Sequence, residues 1–78
     1  MDYDELRIQD AVLALLGVFE FDAGRAWKRY DFAVMGVLHL QGMINDPRGR
    51  TESVQLTAEG LSKAKALAAE MFGAKPAV

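Results

Sequence analysis

Cysteine is absent from this 78-residue sequence, histidine occurs once and proline twice. Without cysteine, neither a disulfide nor a thiolate-held metal can support the fold. The single histidine, His39, cannot build a His-type site by itself, so no metal and no cofactor is expected. The seven glycines are scattered at ends and turns and form no phosphate-binding loop. Long apolar runs are missing as well. The longest, residues 11–19, has nine residues, whereas a membrane span needs about 20. The opening MDYDEL is acidic where a secretory leader would be basic. These features lead us to expect a cytoplasmic protein without a membrane partner. Excess positive charge is lacking too: the net charge is −2 and the pI near 5.2, whereas dedicated nucleic-acid binders usually show a basic footprint.

What the sequence does hold is apolar material, 51% of its residues. Its length fits one domain, residues 1–78. A domain of this size buries only about 60% of the surface its unfolded chain exposes. A mean hydropathy of +0.03 is high for such a chain and points to a partner subunit. The charges are also unevenly spread. Residues 1–22 carry Asp2, Asp4, Glu5, Asp10, Glu20 and Asp22 against Arg7, whereas residues 23–51 carry five bases against Asp31 and Asp46. The first part is acidic and the middle mildly basic.

Local signals divide the chain into elements. Asp2 with Glu5 reads as a capping box, opening a helix that runs to Phe19 and is apolar nearly all round in its second half. Such a helix is buried on every side. Residues 20–24 form a loop and residues 25–30 a short helical turn. Asp31 caps a helix that ends at Gln41, with Gly42 as its left-handed stop. Residues 43–44 begin a strand, Asn45-Asp46-Pro47-Arg48-Gly49 is a turn, and residues 51–56 return as the second strand of a β-hairpin. Thr57 caps the last helix, residues 58–72, which Gly73 and then Pro76 end. Leu61, Ala64, Leu67, Ala68, Met71 and Phe72 form its apolar stripe. The expected fold is therefore mainly α with a small β-hairpin, in the order helix, helix, helix, hairpin, helix.

Gly42-Met43-Ile44 before the turn and Val54-Gln55-Leu56-Thr57-Ala58-Glu59-Gly60-Leu61 after it resemble the wing region of MarR-type and PadR-type regulators. Over residues 3–72 the chain resembles a family of small uncharacterised bacterial proteins. The resemblance rests on Arg25-Ala26-Trp27-Lys28, the pair Asp31-Phe32, and the Asp46–Arg50 turn ahead of S-V-x-L-T-x-E-G-L. It implies a winged helix-turn-helix-like scaffold and carries no known activity. In winged-helix regulators the third helix enters the major groove and the wing grips phosphate. The resemblance would give that gripping role to Arg48 and Arg50, with Arg25, Lys28 and Arg29 nearby.

The third helix lacks the equipment for base reading. Ala33, Gly36, Val37 and Leu40 share one arc of about 100°, and base edges are read by donors and acceptors such as Arg, Asn or Gln. An arc built on alanine and glycine suits close helix–helix approach instead. Met35, Leu38 and Val34 point to the core on this reading, and Met43 and Met71 fill it. Trp27 is read as a core residue pinning the turn onto the first helix, with an aromatic anchor as the alternative. His39 reads as a helix-surface or partly buried residue. Ser53 and Ser62 lack the context of an activated nucleophile, so no enzyme is expected. Two readings remain. One is a self-associating interaction module, a homodimer or a binder of another protein, using Ala33, Gly36, Val37 and Leu40. The alternative is a DNA-binding regulator using Arg25, Lys28, Arg29, Arg48 and Arg50.

Overall fold

A computed structural model describes residues 2–73 and gives three helices and two short strands in the order α1 (Glu5–Val18), β1 (Arg25–Trp27), α2 (Phe32–Leu40), β2 (Ser53–Gln55) and α3 (Ala58–Phe72). The chain is thus mainly helical with a small antiparallel sheet. No helix among the described residues is long and apolar enough to cross a membrane.

Each helix starts on a side-chain oxygen. Asp4 caps α1, its Oδ1 accepting from the amides of Leu6 at 3.0 Å and Arg7 at 3.3 Å. The cap is therefore Asp4 and not Asp2, and Glu5 is the first helical residue. Asp31 caps α2 by accepting from Val34 N at 3.1 Å, and Gly42 at φ +79° ends that helix as expected. Thr57 Oγ1 accepts from Gly60 N at 2.9 Å and donates to Gly42 O at 2.6 Å. That hydroxyl ties the start of α3 to the end of α2.

The sheet differs from the expected hairpin. Residues 25–27 are a strand, not a helical turn, and pair antiparallel with β2 in the register Arg25↔Gln55, Ala26↔Val54, Trp27↔Ser53. The cause lies just upstream. Asp22, Ala23 and Gly24 all take positive φ, +46°, +59° and +105°. This reverses the chain so that Phe21 and Arg25 exchange both backbone hydrogen bonds at 2.7 Å. The expected partner strand at 43–44 shrinks to one bridge, Ile44↔Leu56. Beyond it Asn45 still meets the other side, its N–H donating to Gln55 O at 2.9 Å and its Oδ1 accepting from Gln55 N at 2.9 Å.

Leu13, Leu16, Met35, Leu38, Ile44 and Val54 form the largest buried side chains, with Ala26, Met43, Leu56 and Ala64 around them. Helix α1 lies against α3 at the contact of Gly17 with Ala64, where a Cβ added to Gly17 would sit 2.8 Å from that of Ala64. Met35, Leu38 and Met43 fill the core as expected and Val34 packs on its edge, but Met71 is exposed. Trp27 also departs from expectation, being 46% exposed. In a three-residue strand only alternate side chains face inward. Ala26 takes that place, so Arg25 and Trp27 face out. The second half of α1 is not buried all round either: Val18 and Phe19 are exposed.

Candidate functional site

The outer side of α2 follows from its phase. Met35 and Leu38 anchor the inner side, so Ala33, Gly36, Val37 and Leu40 turn outward together with Phe32. Leu40 is 85% exposed and Phe32 63%. They lie four residues either side of Gly36, where an added Cβ would meet nothing within 4 Å. Two large apolar side chains therefore flank a shallow centre. The loop after Ile44 walls this surface on one side, leaving a groove of about 380 Å³ lined by the α2 face, His39 and residues Asp46, Pro47 and Arg48. On the other flank a furrow of about 320 Å³ runs between α2 and the start of α1, with Ile8 and Gln9 facing Ala33, Val34 and Val37. The arc expected from sequence is thus gathered on one open face. Phe32 was missing from it, although its spacing of four from Gly36 puts it on the same ridge.

The five basic residues are placed very differently. Arg48 folds back on Asp46, with Nε 3.0 Å from Oδ1 and the terminal nitrogen 2.7 Å from Oδ2. This exposed fork holds the Asp46 carboxyl well below the usual carboxylate range and raises Arg48 further. The Lys28 ammonium donates to the carbonyls of Pro47 at 2.8 Å and Gly49 at 2.7 Å, pinning the loop to the end of β1. Arg25 donates to the buried Ser53 hydroxyl at 2.6 Å. Arg29 stands 5.6 Å over the Trp27 ring, which in turn packs on Phe21 with centroids 4.9 Å apart. Arg50 is exposed.

A third hollow, of about 250 Å³, opens beside Trp27 and Arg29 and is completed by Leu16, Phe19 and Tyr30. Sequence reasoning did not find it, because it depends on Trp27 facing outward from a strand. His39 Nδ1 lies 3.2 Å from the Ile44 carbonyl oxygen, half-buried. It joins the end of α2 to the first bridge of the sheet. Among the described residues no three His, Cys, Asp or Glu side chains gather closely enough to hold a metal ion.

Residues 4–74 match the model of a family described as a domain of unknown function, DUF6429. The chain belongs to the DUF6429 family. The DUF6429 chain is also 42% identical over 72 residues to the uncharacterized protein y4hR of Sinorhizobium fredii (strain NBRC 101917 / NGR234), which covers 92% of this chain and 97% of that relative. No solved structure matches the DUF6429 chain.

Proposed function

We propose that this protein is a non-catalytic, self-associating interaction module, a homodimer in the cytoplasm, built as one domain on a winged-helix-like scaffold. The observation that carries the reading is the outer face of α2, where Phe32 and Leu40 stand exposed on either side of Ala33, Gly36 and Val37 above an apolar groove. Contiguous apolar surface of this kind marks an interaction site on a small soluble domain. Small residues at its centre let a second backbone approach closely. The winged-helix comparison draws support from the order α1, β1, α2, loop, β2, α3 and from the loop of residues 45–52 at the wing position. The strand at residues 25–27 stands where that scaffold was expected to have a helix.

The alternative of DNA binding has less support. Of the two wing arginines, Arg48 is neutralised by Asp46, and Lys28 is committed to loop carbonyls. Light scattering on a sizing column tests the proposal. The wild-type chain should elute at twice its own mass at micromolar concentration, and Leu40→Asp, a change at an exposed site that leaves the fold intact, should shift it toward the monomer. A predominantly monomeric wild-type chain would sink the reading. Titration of a labelled duplex at two salt concentrations separates the alternative, because phosphate-driven binding would weaken steeply with salt.

A further inference from the structure

The solvent side of α1 carries Ile8, Ala11, Leu15 and Val18, all half-buried or exposed. Their spacing of three, four and three residues is that of a coiled-coil seam, and it reads the same in both directions. An antiparallel copy would set Ile8 against Val18 and Ala11 against Leu15, a small residue facing a large one at the middle. Ile8 also lines the furrow beside α2, so this seam is continuous with the α2 face.

The two ends of α1 are complementary in charge. At its start lie Asp2, Asp4 and Glu5, with Tyr3 and Leu6 exposed among them. At its end, about 21 Å away at 1.5 Å per residue, is the hollow of Phe19, Trp27, Arg29 and Tyr30. Its charged lining residue is Arg29. In the antiparallel register Arg7 falls opposite Phe19, next to the acids Glu20 and Asp22 of the second copy. Each end therefore answers the other.

We propose that the occupant of the Trp27–Arg29 hollow is the acidic first turn of a second copy of this chain, delivered by antiparallel pairing of the two α1 helices. The contact is reciprocal: each copy gives its residues 2–6 and receives the other's, which closes the assembly at two. This inference rests on the self-association reading and adds its register.

Two variants test it, Arg29→Glu and the pair Asp2→Lys with Glu5→Lys; Asp4 is kept because it caps α1. The mutated sites are all exposed, and circular dichroism checks that both variants keep the helix content. Each variant alone should dimerise at least tenfold more weakly than the wild type. An equimolar mixture should recover a dimer containing one copy of each, since both of its ends are again complementary. Raising the salt should weaken the wild-type dimer. If the wild type dimerises and the variants match it, or if the mixture stays monomeric, the register is overturned while self-association stands. A monomeric wild type overturns both.

Discussion

Replacing Gly60 by alanine should destabilise the fold by about 2–4 kcal/mol, although alanine favours a helix over glycine by about 1 kcal/mol. Gly60 sits in the first turn of α3, directly against the end of α2. A Cβ there would press on the Met43 carbonyl oxygen, 2.6 Å from its carbon and 2.8 Å from its Cα. All three atoms are backbone, so no rotamer change relieves the contact. Overpacking of this kind costs about 1–3 kcal/mol. The Met43 carbonyl also accepts from Thr57 N at 2.9 Å and from Thr57 Oγ1 at 3.2 Å, and displacing it loosens bonds worth about 1 kcal/mol each. Met43 leads directly into the buried Ile44, so the shift is transmitted to the core. At about 4–8 °C per kcal/mol for a domain of this size, the melting temperature should fall by roughly 8–32 °C. The control is Gly49→Ala, away from the proposed interface, where the nearest atom is Thr51 Oγ1 at 3.9 Å and φ is not positive; it should gain about 0.4–1 kcal/mol. Thermal melts followed by circular dichroism at matched protein concentration measure both changes, because association itself adds apparent stability. A Gly60→Ala protein as stable as the wild type would refute the close packing of α3 on residue 43.

Other changes test separate parts of the structure. Gly17→Leu should destabilise more than Gly17→Ala, because the site already touches Ala64; denaturant midpoints give the order. Lys28→Met should release the loop from two carbonyls, costing about 1–3 kcal/mol and speeding amide exchange across residues 49–51. The Asp46 carboxyl is held below its ordinary range by Arg48, so this pair contributes stability above that range and loses it as pH falls through the depressed value. No change from this pair is expected between pH 5 and 8. A carbon-detected NMR titration should place Asp46 below the usual carboxylate midpoint in the wild type and return it toward that midpoint in Arg48→Ala.

The helices with local punctuation were legible from sequence. Asp31 with Gly42, and Thr57 with Gly73, bracket α2 and α3, because a cap is a contact between near neighbours. The strand β1 was not legible. It is three residues long, and its partner Gln55 lies 30 positions from Arg25, so nothing local announces the pairing. A signal existed in Asp-Ala-Gly at residues 22–24, which turns the chain through positive φ, but two of those three residues are not glycine. Misreading this segment carried Trp27 inward with it and concealed the hollow at the end of α1. The α2 arc was recovered because helical phase alone determines it. The partners of the basic residues were not, since Lys28 meets Pro47 and Gly49 only after the sheet has formed.

On the reading proposed above, a second copy covers the exposed apolar surfaces of α1 and α2. A light-scattering mass of the wild-type chain at micromolar concentration tests it most directly. The expected mass is twice the 8.6 kDa of one chain, falling toward that value in Leu40→Asp. A mass of one chain for the wild type would contradict it.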